Sequence, residues 1–288
     1  VITGFQGVVP GEIAEITTVG RGGSDAIAVA LAVELNAACV IYTDVDGVYA
    51  VDPRVVGNAK RFKIITPNQM IKMFKAGAGV MMGRSVEIAQ RFNKPVQVKL
   101  SSSFGLSDGG TEIKNPPANG IEYSEYRELI GLRIKKMGTV VVYGLPNIPG
   151  IAYRLLRGIE ANILEIIQPL VQNQAAPATM SLLLEREDVS PVAEKMDKLK
   201  TKDKHFSNME ISRHEDLISL TLVDPIMVDS SGYIEKMLAI MSKKAINIES
   251  IFSAEDKLGV VVKEEVHKKA AQALAIEFGL LNENETEE

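Results

Sequence analysis

The sequence predicts an α/β chain in two parts: a helix and strand built around an anionic ligand, then a degenerate repeat of strand, helix, strand, strand and helix. Three observations predict it. Between Thr17 and Arg54 a glycine-rich turn opens an apolar helix, and the strand that follows ends in a carboxylate-rich turn. The run Asn115-Pro116-Pro117-Ala118-Asn119-Gly120 is the clearest linker in the chain. Beyond it the same succession of apolar runs and turn signals occurs twice, from Thr139 and again from Leu217.

Val1 to Phe5 reads as a strand, and Glu12 to Thr18 as a strand or hairpin leading into the glycine turn. Gly20-Arg21-Gly22-Gly23-Ser24-Asp25 then opens onto Ile27, Leu31 and Leu35 on one helix face, with Ala26, Ala30 and Val33 beside them. That is the layout of an anion site. Glycines let backbone N–H groups approach an oxyanion, the helix N-terminus adds its positive dipole end, and Arg21 supplies a fork of donors. Ser24 or Asp25 is the expected N-cap. The helix should end near Asn36, and Ala38 to Thr43 reads as a short strand buried on both faces. Ligands of open α/β sheets lie beyond the carboxyl ends of the strands, which here means Thr43-Asp44-Val45-Asp46-Gly47-Val48-Tyr49. Asp44 and Asp46 can hold Mg²⁺ or ribose hydroxyls, Tyr49 can stack on or border a base, and Arg54 is within reach of phosphates. Taken together, the two turns predict a nucleotide or phosphate site.

Lys60, Arg61 and Lys63 form a basic cluster, either a solvated face or a shade over the phosphates. Thr66-Pro67-Asn68-Gln69 is a capping box with proline at the first helical position, so a helix runs from Pro67 to Ala76 and stops at Gly77. A second helix carries Val86, Ile88 and Ala89; Lys94-Pro95 breaks it, and Val96 to Leu100 alternates as a strand. In the repeat, the first copy takes a strand at Thr139–Tyr143, a turn at Pro146–Gly150 and a helix with Leu155, Leu156 and Ile159. Asn162-Ile163 and strands near Glu165–Leu170 and Thr179–Leu184 follow. The second takes a strand at Leu217–Val223, a turn at Asp229–Gly232 and a helix with Ile234, Met237, Leu238 and Met241. Asn247-Ile248 and strands at Glu249–Ser253 and Gly259–Lys263 complete it. Each copy is a βαββα unit of ferredoxin-like type.

Composition narrows the function. With 46% hydrophobic residues among 288 the chain can build two or three cores, and a net charge of −5 gives no general footprint for nucleic acid. A 5% aromatic content without tryptophan offers no stacking platform for single strands. The single cysteine, Cys39, falls in an apolar strand, where it is a small core residue rather than a nucleophile, in keeping with a reducing cytoplasm. No apolar run reaches the length of a membrane span, and no dedicated metal-ligand set is present.

The stretches TTVGRGGSD and YTDVDGVYAVDPR resemble those of aspartate kinases, ATP-dependent enzymes of the amino-acid kinase fold. The resemblance covers the whole chain but not the whole family pattern: the lysine- and glycine-rich phosphate-binding segment with which members begin is not in it. The chain is therefore expected to be the larger C-terminal part of such an enzyme, inactive by itself. The domains expected are the C-terminal part of a carbamate-kinase-like three-layer catalytic domain at 1–118 and a linker at 119–128. A first ACT module at 129–213, a second at 214–281 and an acidic tail at 282–288 follow. Because the family often interleaves these modules, the strand around 129–135 belongs either to the first or to the second.

By resemblance, the reaction is transfer of a phosphoryl group from ATP, with Mg²⁺, to the side-chain carboxylate of L-aspartate, the first step towards lysine, threonine and methionine. Arg21, Gly22 and Ser24 would hold the aspartate, with Phe5 as a pocket wall, and Asp25 and Arg54 would be catalytic. Thr43, Asp44, Tyr49, Arg54 and Arg84 would line the nucleotide. Lysine or threonine would bind as effector beside Asn147, Ile148, Gly150, Ile151, Asn162 and Gln168, and the modules would pair into a homo-oligomer, at least a dimer. Many members carry a lysine where this chain has Gly79, and a His-Pro where it has Met82-Gly83. Its duty would fall on Arg54, Arg84, Mg²⁺ or an N-terminal lysine. The alternatives are a non-catalytic amino-acid-sensing subunit, which would not need the stretch Thr17–Arg54, and another amino-acid kinase, which would lack the paired modules.

Overall fold

The computed structural model describes residues 7–9, 15–20, 22–77, 79–104, 109–116, 131–159, 163, 165–167, 177–223, 230–254 and 257–282. Val1 to Phe5, Arg21, Ala78, the stretch 119–128, Asn162, Gln168 and the tail from 283 lie outside them.

In the first part, β1 (Gly7–Val9) and β2 (Glu15–Thr17) form an antiparallel hairpin. After it come α1 (Gly23–Glu34), β3 (Cys39–Thr43), β4 (Ile64–Ile65), α2 (Pro67–Lys75), α3 (Gly83–Arg91), β5 (Val96–Leu100) and β6 (Thr111–Ile113). The sheet order is β3-β5-β6-β4; β3 runs parallel to β5, and β6 lies antiparallel to β5 and parallel to β4. The capping box forms: Thr66 Oγ1 accepts from the Gln69 amide at 3.2 Å, and Gln69 Oε1 accepts from the Thr66 amide at 2.9 Å.

Two expectations change. Helix α1 buries Val29 and Ala32, whereas Leu35 is 65% exposed and Ile27 and Leu31 are only half-buried. Because this helix is apolar on nearly every side, periodicity cannot choose its core face. Strand β3 is not buried on both faces: Cys39 and Ile41 are inside, while Val40 and Tyr42 are half-buried on the other side. A half-covered sheet alternates where a fully covered one does not.

The second part is one six-stranded sheet, order β11-β12-β10-β7-β9-β8. Its elements are β7 (Gly131–Leu145), α4 (Ile151–Ile159), β8 (Glu165–Ile167), β9 (Ala178–Glu185), α5 (Arg186–Lys202), β10 (Glu210–Val223), α6 (Ser230–Lys243), β11 (Ser250–Ala254), β12 (Lys257–Lys263) and α7 (His267–Glu277). Strands β7 and β10 are each long enough to serve both copies of the repeat. Thr139–Tyr143 pairs with Glu210–His214, and Gly131–Met137 with Leu217–Val223, on either side of a bulge at Glu215 and Asp216. The first copy is thus flanked by β9 and β8, and the second by β12 and β11. Each half has the strand order of a βαββαβ ferredoxin-like unit, and Gly131–Met137 supplies the last strand of the second unit although it precedes the first in sequence.

Separate cores sit under the two units. Val140, Val142, Leu155, Ile159, Leu182 and Met196 fill the first; Leu132, Leu220, Leu222, Met237, Val260 and Leu274 fill the second. The second core also takes in Ala50, Val51, Val56 and Ala59 from the loop that follows β3. That loop is anchored to its own sheet by Thr111, whose buried hydroxyl donates to the Phe62 carbonyl at 2.6 Å and accepts from the Val48 amide at 2.8 Å. It is thus shared between the two parts of the chain.

Candidate active site

The glycine turn and the carboxylate turn lie at one edge of the first sheet. Helix α1 leads directly back into β3, and α3 into β5, so the N-termini of both helices lie beside the carboxyl ends of two parallel strands. At the α1 end the N-cap is Gly22, not Ser24 or Asp25, and it adopts the left-handed conformation, φ 66°. The helix starts two residues earlier than a polar cap would have it, because only glycine fits here: a Cβ on Gly22 would lie 1.6 Å from Met82 Cγ. Met82 is in turn the N-cap of α3. The close approach of the two turns brings two sets of helix N–H groups together, the requirement for holding an anion.

Ser24 and Asp25 stand in the first turn of α1, both half-buried. Burial holds the Asp25 carboxyl above its ordinary range, and its contact with the Met82 amide, 3.5 Å, only partly offsets this. Arg84, in the first turn of α3, is exposed. Gly79 is exposed as well, and a Cβ there would meet nothing within 4 Å.

At the strand end, Thr43 Oγ1 donates to Asp44 at 3.1 Å, and the Thr43 carbonyl accepts from Ser101 Oγ at 2.8 Å. Asp44 is exposed. Tyr49 and Asp46 are already engaged: the phenol donates to both carboxylate oxygens of Asp46 at 3.0 Å, and Arg61 pairs with the same carboxylate at 2.9 Å. Burial and then the neighbouring Asp46 push the Tyr49 phenol up. Its ring packs against the core of the second ferredoxin-like unit. Tyr49 therefore borders the site as a fixture of the loop, and Arg61 of the basic cluster braces it. Arg54 reaches over its own turn to Asp52, with Nε and Nη2 on the two carboxylate oxygens at 3.0 and 2.9 Å. The Arg54 side chain is 85% exposed and that of Asp52 32%, and a surface pair contributes about 0–1 kcal/mol, so a phosphate can take Arg54 from Asp52 at small cost. The bound pair holds Asp52 below the usual carboxylate range despite its burial.

No group of three His, Cys, Asp or Glu side chains that could hold a metal occurs among the described residues. The donor set fits a Mg²⁺ that arrives on nucleotide phosphates and borrows one carboxylate, with Asp44 the exposed one at the strand end. None of the described helices is long and apolar enough to cross a membrane.

Of the expected effector residues, Ile148 is exposed in the turn before α4, Gly150 holds that turn at φ 85°, and Ile151 is packed in the first unit's core. Asn147 shares the turn. Asp46 and Arg61, which the sequence offers to a ligand, turn instead to Tyr49 and to each other, and Asp52 and Ser101 carry no signal in the sequence; these roles depend on loop folding that no short spacing encodes.

Residues 1–99 match the profile of the Amino acid kinase family. Aspartate kinase of Pseudomonas putida is 34% identical over 291 residues, spanning 97% of this chain and 66% of that protein. An aspartokinase of Mycolicibacterium smegmatis is 32% identical over 291 residues, spanning 99% and 66%. Among solved structures, Clostridium acetobutylicum aspartate kinase superposes with a TM-score of 0.71 at 23% identity, over 92% of this chain and 59% of that one. The chain spans just under two thirds of the length of the curated relatives it matches. An amino-acid-kinase-like region followed by two ferredoxin-like ACT modules, alike in sequence along nearly its whole length, places the chain in the aspartokinase family.

Proposed function

We propose that the full-length protein transfers the terminal phosphoryl group of Mg·ATP to the side-chain carboxylate of L-aspartate. The observation that carries this reading is the convergence, at one sheet edge, of two helix N-termini with the Thr43–Arg54 loop, in a chain whose relatives are named aspartate kinases. Mg·ATP, when bound, brings the phosphoryl group and the cation that neutralises it. The acceptor carboxylate is ionised at neutral pH and needs no general base, so the protein's task is positioning and charge stabilisation.

Arg21, Ser24 and the amides beginning at Gly22 bind the aspartate carboxylates. Phe5 walls the pocket. Asp25, held above its usual range, orients the cations on the phosphates. Thr43 and Asp44 hold the nucleotide, with Tyr49 at its border, and Arg54 leaves Asp52 to reach the phosphates. Arg84 is the exposed cation on the α3 side and takes the duty of the lysine replaced by Gly79. Replacing Arg21 with Ala in the full-length enzyme should raise the KM for aspartate by about 10- to 100-fold while that for ATP moves much less. A change confined to ATP would remove the assignment.

The proposal extends to a cytoplasmic homo-oligomer whose activity falls with lysine or threonine bound beside the Asn147–Ile151 turn. It is supported by the pair of ACT modules and by the position of that turn at the head of α4. Asn162→Ala or Gln168→Ala should weaken the inhibition, by a coupling of about 1–3 kcal/mol at most, and leave uninhibited turnover nearly unchanged. Equal loss with and without effector would make these residues structural.

A further inference from the structure

The loop that carries Asp52 and Arg54 is gripped by the second ferredoxin-like unit. Arg133, near the start of β7, is 9% exposed, and its Nη2 donates to the carbonyls of Tyr49 and Ala50 at 2.7 and 2.6 Å. The Leu132 amide donates to the same Ala50 carbonyl at 2.7 Å. A Cβ on Gly131 would lie 2.1 Å from that oxygen, so the strand can be seated this closely only with glycine there. On the loop's other side the Lys60 amide donates to Leu280 at 2.9 Å, and the Asn282 amide to Asn58 at 3.1 Å. Four loop side chains, Ala50, Val51, Val56 and Ala59, complete the second unit's core.

A buried guanidinium is costly, and this one is incompletely satisfied, since Arg133 Nε has no hydrogen-bond partner among the described residues. Packing alone would be served as well by an aliphatic side chain of similar volume. What an aliphatic residue cannot do is cap two carbonyls at once and place a positive charge under Asp52. Burial draws Arg133 down to about 10, with the Asp52 charge opposing the shift, so it remains a cation at neutral pH. Asp52 in turn is the carboxylate that holds Arg54.

We propose that Arg133 is a positioning residue for the nucleotide: from the second ferredoxin-like unit it caps Tyr49 and Ala50, fixes Asp52, and so sets where Arg54 meets the phosphates. This rests on the phosphoryl-transfer reading above. It makes the second unit a structural part of the ATP side of the site and leaves the aspartate side, at the α1 N-terminus, outside its reach.

The test is Arg133→Met in the full-length protein, with Arg133→Lys in parallel, read by steady-state kinetics and by hydrogen exchange of residues 48–56. For Arg133→Met the KM for Mg·ATP should rise about tenfold or more with the KM for aspartate within about twofold, and exchange should quicken in 48–56 but not in β9. An ATP KM within about twofold of the parent, or equal rises for both substrates, overturns the proposal. If Arg133→Met does not fold, Arg133→Lys decides: its single ammonium lacks the planar fork, so a rise of about threefold is expected for ATP alone, and no rise overturns the role. If the parent shows no aspartate-dependent turnover, the functional reading fails by itself. The brace is then judged on exchange, where quickening confined to 48–56 supports it and unchanged exchange overturns it.

Discussion

Replacing Gly22 with Ala tests whether the two helix N-termini are held together by shape. At φ 66° an alanine carries the left-handed penalty of about 1–2 kcal/mol. Its Cβ would also lie 1.6, 2.7 and 2.8 Å from Met82 Cγ, Cβ and Sδ. The near atoms include the root of the side chain, so rotating its flexible end does not relieve them, and overpacking of this kind costs about 1–3 kcal/mol. The sum is about 2–5 kcal/mol of local stability. Met82→Gly removes all three atoms, and glycine is tolerated at an N-cap, so in that background Gly22→Ala should cost only the left-handed penalty. The coupling between the two changes is then about 1–3 kcal/mol. Because the chain has several cores and need not unfold in one step, the measurement is native-state hydrogen exchange of α1 and α3 amides rather than a global melt. Additivity within about 0.5 kcal/mol would refute the contact as the reason for glycine.

Two further outcomes follow from local features. Thr66→Ala removes the hydroxyl half of the capping box, leaves the backbone amide of residue 66 to Gln69, and should cost about 1 kcal/mol, seen as faster exchange in α2 and not in α4. Burial raises the Asp25 carboxyl above its ordinary range in the folded state, so its ionised form costs stability. That cost is absent well below the unfolded pKa and complete above the folded one. Asp25→Asn should therefore be more favourable to thermal stability at pH 7 than near pH 3, and a pH-independent effect would show the carboxyl to be unperturbed.

Local chemistry was legible in the sequence wherever a short motif determines its own geometry. The capping box at Thr66 and Gln69 formed as read, and so did the strand order within each repeat, since a glycine turn followed by an amphipathic helix and two strands has few compact solutions. The glycine turn was legible as an anion turn, but its cap was not. Gly22 is chosen by Met82, sixty residues away, and a polar cap rule sees only the adjacent Ser24 and Asp25. Tyr49 and Arg54 lie on the carboxylate loop, where their place in the chain puts them. Their partners Asp46 and Asp52 were invisible in that role, because whether an acid faces a ligand or its own turn depends on the path of the loop. Arg133 left no signal at all: a lone arginine in the run Gly131-Leu132-Arg133-Ile134 reads as a strand residue facing solvent, and only the loop at Tyr49 and Ala50, distant in sequence, folds over it and buries it.

The nesting of one ferredoxin-like unit inside the other has a consequence for the order in which the chain is made. Gly131–Met137 leaves the ribosome about eighty residues ahead of Leu217–Val223, its partner. At about 5–20 residues per second that strand waits roughly 4–16 s with its hydrogen-bonding edge unmatched. Everything synthesised in the interval belongs to the first unit, whose contacts are nearer in sequence and can close as soon as β10 begins to emerge. Once Glu210–His214 zips onto Thr139–Tyr143, the two continuous strands are already side by side, and pairing of the remaining residues needs only extension across the bulge. The inner unit thus acts as a clasp that turns a distant pairing into a neighbouring one, and the loop bearing Asp52 and Arg54 receives its contacts with Leu280 and Asn282 after all of these.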